Sequence, residues 1–203
     1  FFLQPKVVSL ASAFLASARV DEIIQPILGE IVEHAGSSAS LAVADGDNVL
    51  IVANFSLRRM TRLTAGSGTR YPIHISSMGR VMLADLPDEE LDKVIARIDF
   101  KPFTKWTVTD PVELRKRILE VRRDGYCVTQ DELEEGLDAV AIPVRISGGR
   151  AIAALNCTAY SRQQDKRKLV KSALQPLLNA AEKVREAVQQ FPTLAHVFAQ
   201  PTL

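Results

Sequence analysis

Two short apolar runs, at residues 39–44 and 49–53, flank an Asp-Gly-Asp-Asn segment at residues 45–48. Glycine and asparagine tolerate the positive φ angles that a tight turn requires, so this pattern predicts a β-hairpin. A second group of strands is predicted at residues 126–129, 139–146 and 151–158. Since hairpins pair neighbouring strands in opposite directions, an antiparallel sheet is expected at the centre of the fold.

Helices are predicted between and around these strands. Apolar residues recur with helical spacing after Pro5, from Asp21 to Ala35, after Pro87, after Pro111 and from Leu169 to Val188. Because hairpins and helices come in blocks and not in strict alternation, the predicted class is α+β, an antiparallel sheet flanked by helices. We expect residues 1–19 to form a linker helix, 20–190 the main domain and 191–203 a loosely attached tail.

The composition is that of an ordinary globular protein, with 203 residues of which 47% are hydrophobic and 24% are charged. A net charge of +1 argues against a nucleic-acid-binding surface on this chain. No apolar stretch reaches the roughly 18 residues that a membrane span needs, and Cys127 and Cys157 lack metal-site spacing. We therefore expect a cytoplasmic protein with no membrane segment, metal or cofactor.

The segment from Pro72 to Ala84 predicts a loop that leads into a helix with two serines, Ser76 and Ser77, at its start. The first N–H groups of a helix have no partners within it, and the helix dipole favours an anion at that end. Residues 48–84 contain no acidic side chain but include Arg58, Arg59, Arg62, Arg70 and Arg80. This pattern predicts a site for a small acidic ligand. A capped surface helix with solvated arginines is an equally consistent interpretation.

Two further clusters of polar residues could face the same site. Residues 131–135 are dense in acids, which could pair with the arginines or form a solvated turn. Asn156 and Thr158 lie on the same face of a predicted strand, where polar side chains need hydrogen-bond partners. A bound carboxylate, an ordered water or a buried side-chain network would each supply those partners.

Two other classes of function fit parts of the sequence. A hydrolase would need a triad such as Ser76, His74 and Asp131, but there is no Gly-x-Ser-x-Gly motif and His74 lies between two isoleucines. A module for oligomerisation alone explains the apolar helices but not the arginine-rich approach to a helix start. We therefore predict a ligand-binding protein that is not an enzyme.

Several segments together resemble the C-terminal effector-binding domain of IclR-family bacterial transcription regulators. They are PIHISSMGRVMLA at 72–84, DELEEGL at 131–137, AIPVR at 141–145 and AALNCT at 153–158. The segments occur in the order of the family, and the similarity extends from about Pro5 to the last long helix. Within the family, GRVMLA and DELEEGL are most similar to the regulators of protocatechuate, 4-hydroxybenzoate and β-ketoadipate metabolism.

This resemblance implies a GAF-like domain that binds a small organic acid and needs no cofactor. It also implies that a winged helix-turn-helix domain, absent from this chain, precedes it and contacts operator DNA. Residues 7–18 would then be the remaining linker helix. Since family members usually associate as dimers or tetramers, the expected partners are the acid effector, operator DNA through the missing domain, and further copies of the chain.

The effector-binding residues of the family can be carried over position by position. They correspond to Met60, Leu63, Tyr71, Ser77, Met78, Thr129, Leu137, Ala139, Asn156 and Thr158. Family members that sense pyruvate or glyoxylate have Asp in place of Thr129, Cys in place of Ala139 and Gly-Ala in place of Ser77-Met78. These differences favour a larger acid, aromatic or dicarboxylic, as the effector.

Overall fold

The computed structural model of the chain describes residues 4, 6–17, 19–57, 66–146, 149–160 and 166–198. Its strands are β1 (Ser38–Asp45), β2 (Asn48–Ser56), β3 (Arg70–Pro72), β4 (Cys127–Gln130), β5 (Leu137–Arg145) and β6 (Ala151–Tyr160). Its helices are α1 (Lys6–Ser17), α2 (Val20–His34), α3 (Ser77–Leu83), α4 (Asp88–Arg97), α5 (Pro111–Asp124), α6 (Lys166–Gln190) and α7 (Pro192–Phe198).

The strands form one antiparallel sheet in the order β3-β2-β1-β6-β5-β4. The predicted β1–β2 hairpin and the predicted strands β4, β5 and β6 are present, which confirms the α+β class with helices around an antiparallel sheet. Strand β3, which was not among the predicted strands, lies at one edge of the sheet because Arg70 and Tyr71 pair with Leu50 and Val49 of β2.

One register shift in the β1–β2 pair decides which residues of β2 face each side of the sheet. Leu41 pairs with Ala53, but the next residue of β1, Ala42, pairs with Ile51, so that Val52 is an extra residue in β2. A bulge of this kind changes the alternation of side chains beyond it. As a result, the polar residues that follow in β2 face the same side as Ile51.

One face of the sheet is covered by α2, α6 and α7. Aliphatic side chains of the central strands, such as Leu41, Ile142 and Leu155, are buried in one core with these helices. The predicted loose attachment of the tail is wrong for residues 192–198, because they form α7 and bury Leu194 and Phe198 in the same core.

The opposite face of the sheet divides into an apolar half and a polar half. In the apolar half, Val81, Leu91 and Leu114 of α3, α4 and α5 are buried in a second core with alanine, valine and isoleucine side chains of the strands. In the polar half, next to the start of α3, small polar side chains such as Ser40 and Asn156 face this side. The candidate site lies over this polar half.

The predicted linker segment forms the helix α1, and Arg19 in a left-handed conformation follows it and begins α2. The domain boundaries at residues 19 and 190 stay predictions. In the described part of the chain, no helix combines the length and the apolar character that a membrane span requires.

Candidate functional site

A cavity of about 80 Å³ lies between the polar half of the sheet and the start of α3. A cavity that holds a single water has roughly 10–15 Å³ of such space, so this cavity has room for a small organic molecule. The lining residues are Ser38, Ser40, Ile51, Asn54, Ser56, Tyr71, Ile75, Ser76, Ser77, Met78, Thr129, Leu133, Leu137, Ala139, Asn156, Thr158 and Tyr160. Among the described residues, no charged side chain lines the cavity.

The start of α3 forms one end of the cavity. Ser76 occupies the N-cap position, but its side chain makes no capping hydrogen bond. The main-chain N–H groups of Ser77 and Met78 donate to no described residue, although both residues are only 2% exposed. Unpartnered N–H groups and the helix dipole together favour an anionic group here. Since all of α3 is buried, the alternative interpretation of a capped surface helix is wrong.

Close packing against the preceding loop holds this helix start in place. A Cβ atom at Gly79 would overlap the carbonyl oxygen of Ile73, so a glycine is required for this approach. The first turn of α3 can therefore lie directly beside the loop that carries Ile75 into the cavity wall.

Arg80 does not place its charge in the cavity. Its side chain is 1% exposed, and its Nε atom donates to the carbonyl oxygen of His74 at 2.7 Å. Its terminal nitrogens donate to both carboxylate oxygens of Glu132, at 2.8 and 2.5 Å. Arg70 pairs with Asp45 at the surface. The prediction that arginines around the helix start hold the anion is wrong for these two, and Arg58, Arg59 and Arg62 lie outside the described residues.

The floor of the cavity is a strip of small polar side chains on β1, β2 and β6. The N–H group of Ser40 donates to Oδ1 of Asn156 at 3.0 Å, which assigns the amide so that Nδ2 faces the other way. Asn54 Nδ2 donates to Ser40 Oγ at 2.9 Å, and Ser38 Oγ lies 2.7 Å from Thr158 Oγ1. Asn156 Nδ2 donates to no described residue, so it is available to a ligand.

Aromatic and aliphatic side chains complete the wall. Tyr160 and Leu137 lie at the end of the cavity away from α3, because Tyr160 follows Asn156 by four residues in β6, roughly 13 Å along the strand. Burial, the charge of Glu134 and the nearby Tyr160 raise the pKa of Tyr71, with burial the largest cause. This phenol therefore stays protonated at neutral pH and can stack on a ring or donate a hydrogen bond.

The residues carried over from the family come together at this cavity, with two exceptions. Those that line it are Tyr71, Ser77, Met78, Thr129, Leu137, Ala139, Asn156 and Thr158. Met60 and Leu63 lie outside the described residues. That these positions bind an effector stays a prediction.

The polar lining residues of the strands that were not predicted are Ser38, Ser40, Asn54, Ser56 and Tyr160, and the apolar ones that were not predicted are Ile51, Ile75 and Leu133. The signal that could have found the serines and Asn54 is a two-residue spacing of small polar side chains in otherwise apolar strands, the same spacing that identified Asn156 and Thr158. In the acidic segment, Glu132 pairs with Arg80, Leu133 lines the cavity and Glu135 is exposed.

The hydrolase triad considered from the sequence does not form. Asp131 uses its Oδ1 atom to accept a hydrogen bond from the N–H group of Gly136 at 2.5 Å. Nε2 of His74 is buried and makes no hydrogen bond. Over the described ranges, no group of three side chains suited to a metal ion is present.

A curled antiparallel sheet with helices on both faces and a small cavity at a helix start defines a GAF-like ligand-binding domain. The chain belongs to the family described as bacterial transcriptional regulator IclR C-terminal, which matches residues 12–186. The predicted family membership is therefore confirmed.

Known relatives of this chain are regulators. The Pca regulon regulatory protein of Pseudomonas putida is 34% identical over 184 residues, which cover 90% of this chain and 63% of that protein. This chain thus spans less than two thirds of that relative. Because the named relatives regulate transcription, the prediction that the chain is not an enzyme is confirmed.

Solved structures share the fold. A transcriptional regulator from Rhodococcus sp. RHA1 has a TM-score of 0.84 at 34% identity, covering 94% of this chain and 78% of that one. A double mutant of the PobR transcription factor inducer-binding domain from Acinetobacter, in complex with 3-hydroxybenzoic acid, has a TM-score of 0.74 at 29% identity. It covers 81% of this chain and 96% of the Acinetobacter chain.

Proposed function

We propose that this domain senses a small organic acid, aromatic in character, for a DNA-binding transcriptional regulator. The observation that carries the proposal is the cavity itself. Its lining is uncharged in the described residues, yet it offers unpartnered donors in the Ser77 and Met78 N–H groups and in Asn156 Nδ2. Such donors stabilise a carboxylate, because charge-assisted hydrogen bonds are stronger than neutral ones.

The rest of the wall favours a ring over a short 2-oxoacid. Ile51, Tyr71, Met78, Leu133 and Leu137 present aliphatic and aromatic surface on which a ring can pack. The complex of the Acinetobacter relative with 3-hydroxybenzoic acid supports a ligand of this size and type. A dicarboxylic acid is the other ligand class expected from the sequence. It would need a second set of hydrogen-bond donors in the cavity for its second carboxylate.

The signal would reach DNA through a shift between conformations. An effector changes an equilibrium only by the difference in its affinity for the two arrangements, typically about 1–3 kcal/mol. The route in this proposal leads through α1 to a winged helix-turn-helix domain that binds operator DNA, and through rearrangement of a homo-oligomer. A cytoplasmic location follows from this role.

Isothermal titration calorimetry with benzoate and 3-hydroxybenzoate tests the binding step. We expect the unsubstituted protein to bind at least one of these acids. Asn156→Ala should bind it about tenfold more weakly or worse, because a hydrogen bond to a charged group contributes about 1.5–3 kcal/mol. Asn179→Ala removes an exposed asparagine on α6 and is the matched control, with unchanged affinity expected.

Two results would contradict the proposal. One is that neither acid binds at millimolar concentration. The other is that folded Asn156→Ala binds the acid with the same affinity as the unsubstituted protein, since the carboxylate would then lie elsewhere.

A further inference from the structure

The lining of the cavity comes from segments that lie far apart in the sequence. The loop before α3 and the start of α3 contribute Ile75, Ser77 and Met78, and with them the two unpartnered N–H groups. The β4–β5 loop, residues 131–136, contributes Leu133. A ligand that contacts both segments fits only when their separation is fixed, so the contact between the segments matters for binding.

The Arg80 side chain joins these two segments. Its Nε atom donates to the carbonyl oxygen of His74, the residue before Ile75, at 2.7 Å. Its terminal nitrogens donate to both carboxylate oxygens of Glu132, the residue before Leu133, at 2.8 and 2.5 Å. Because a guanidinium group is planar, a two-pronged contact with a carboxylate fixes both the distance and the orientation of the two groups.

The β4–β5 loop is tied together by hydrogen bonds of its own. Asp131 has a φ of 58°, and its Oδ1 atom accepts the N–H group of Gly136 at 2.5 Å. Two threonines hold the same loop from the segment before α5. Thr104 Oγ1 donates to the carbonyl oxygen of Asp131 at 2.7 Å, and Thr107 Oγ1 donates to that of Glu132 at 2.8 Å. A change at the Glu132 carboxylate therefore acts on the whole loop.

The burial of this ion pair needs an explanation other than stability. The side chains of Arg80 and Glu132 are 1% and 2% exposed. Replacing such a pair with apolar side chains of similar size is often neutral or even stabilising, because two charges lose their hydration on burial. An apolar pair has no directional contacts, however, and would not fix the two segments in one arrangement.

We propose that Arg80 and Glu132 are positioning residues of the effector site. Their ion pair fixes the start of α3 relative to the β4–β5 loop, so that the N–H donors and Leu133 stay at the separation that the acid requires. Neither residue lines the cavity, so neither contacts the acid itself. This inference rests on the proposed function.

The double variant Arg80→Met with Glu132→Leu tests this inference, with benzoate and 3-hydroxybenzoate as the probes in calorimetry. We expect it to bind about tenfold more weakly than the unsubstituted protein, since apparent affinity falls in proportion to the fraction of molecules in the binding arrangement. Urea unfolding of the same variant should show most of the stability of the unsubstituted protein. A merely structural pair would leave affinity unchanged once stability is restored.

Hydrogen exchange gives a second measurement on the double variant. The N–H groups of Gly136 and Leu137 donate to Asp131 Oδ1 and to the carbonyl oxygen of Glu134, within the β4–β5 loop. Their exchange should become faster when the loop is no longer fixed by Arg80, because local opening is then less costly.

Two further variants complete the design. Arg80→Lys keeps the charge, but a single ammonium group cannot reproduce the planar two-pronged contact, so its affinity should lie between those of the other two proteins. Arg115→Met with Asp92→Leu is the matched control. It removes an exposed ion pair between α5 and α4 whose Nε and Oδ1 atoms are 2.7 Å apart, and it should leave the affinity unchanged.

The outcomes distinguish this inference from the function on which it rests. If the acid binds equally well to the unsubstituted protein and to either folded Arg80 variant, the positioning role is wrong and the sensor function stands. If the exposed control pair weakens binding as much as the buried pair does, the positioning role is also wrong. Should the double variant not fold, Arg80→Lys decides the question. If neither acid binds to the unsubstituted protein, both proposals fail.

Discussion

The two faces of the sheet are built from the same strands but are stabilised in different ways. On the face covered by α2, α6 and α7, the buried side chains are aliphatic or aromatic, apart from the Cys157 thiol, which donates to the carbonyl oxygen of Ala35 at 3.2 Å. On the cavity side, hydrogen bonds hold Ser40 and Asn156, and an ion pair joins Arg80 to Glu132. The difference indicates that the first face is specialised for apolar packing, whereas the polar half of the second face gives up apolar contact for a surface that can bind a ligand.

Neighbouring residues of β6 make this contrast most directly. Leu155 is fully buried in the aliphatic core, while Asn156 lines the cavity. Successive side chains of a strand point to opposite faces of the sheet. A substitution at Leu155 or at Asn156 therefore changes one face and leaves the other unchanged.

Arg80→Met has the largest expected effect on stability, because it leaves Glu132 buried without its main partner. Removing one member of a buried ion pair costs about 3–5 kcal/mol. Arg117 Nη1, 3.4 Å from Glu132 Oε1, compensates for only part of this loss. Urea unfolding measures the change in the free energy of unfolding.

The double variant Arg80→Met with Glu132→Leu is the control for this measurement. Replacing both charges with apolar groups of similar size is often neutral, so most of the lost stability should return. A double variant as unstable as the single one would show that the uncompensated charge is not the cause.

Leu155→Ala tests the aliphatic face and should lower the free energy of unfolding by about 3 kcal/mol, since it creates a cavity in a closed core. Asn156→Ala should lower it by only about 1 kcal/mol, through the lost acceptor of the Ser40 N–H group. The order is reversed for ligand affinity, which Leu155→Ala should leave unchanged. Equal losses of stability for the two variants would remove the distinction between the faces.

Gly79→Ala tests how closely α3 approaches the loop before it. The added methyl group would overlap the Ile73 carbonyl oxygen, and we expect a loss of about 2 kcal/mol together with weaker acid binding. Gly66→Ala is the matched control, because a Cβ atom there has no neighbour within 4 Å. If Gly79→Ala and Gly66→Ala have the same stability and the same affinity for the acid, the start of α3 can move away from the loop without loss of stability or binding.

The smallest expected effect is a pH dependence that comes from His74. Burial, and then the charge of Arg80, lower the pKa of His74 from its ordinary value of about 6.5. The folded protein thus binds fewer protons than the unfolded chain just below pH 6.5, so stability is lost as the pH falls through this range. Urea unfolding between pH 7.5 and 5.5 should show this loss, and His74→Leu should reduce it. If the free energy of unfolding falls with pH as steeply in His74→Leu as in the unsubstituted protein, other groups cause the pH dependence.

Most of the architecture could be predicted from local patterns. The Asp-Gly-Asp-Asn turn between apolar runs specified the β1–β2 hairpin, and helical periodicity specified α2, α5 and α6 within a few residues. Strand β3 was missed because three residues carry no periodicity, and they become a strand only by pairing with β2. Helix α7 was missed because its burial depends on contacts with distant parts of the chain.

Only part of the candidate site could be predicted from the sequence. The two-residue spacing in β6 put Asn156 and Thr158 on one face, and the resemblance to a family supplied most of the other lining residues. The arginine pattern led to a wrong prediction for Arg80, because the sequence does not show which charged side chains form ion pairs. Arg80 pairs with Glu132, which lies 52 residues further along the chain. The two-residue spacing marks Ser38 and Asn54 as parts of polar strips, but only the pairing of β1 with β2 shows that both strips face the cavity.

The bulge at the extra residue Val52 determines which of the following residues of β2 face the cavity and which face α2. If Val52 instead paired regularly with β1 and no bulge formed, Ala53 and Phe55 would face the cavity, while Asn54 and Ser56 would face α2. The cavity wall would then carry a methyl group and a phenyl ring in place of an amide and a hydroxyl, although the sequence of β2 is unchanged. The bulge, and not the amino-acid types alone, therefore determines the polarity of this part of the cavity wall.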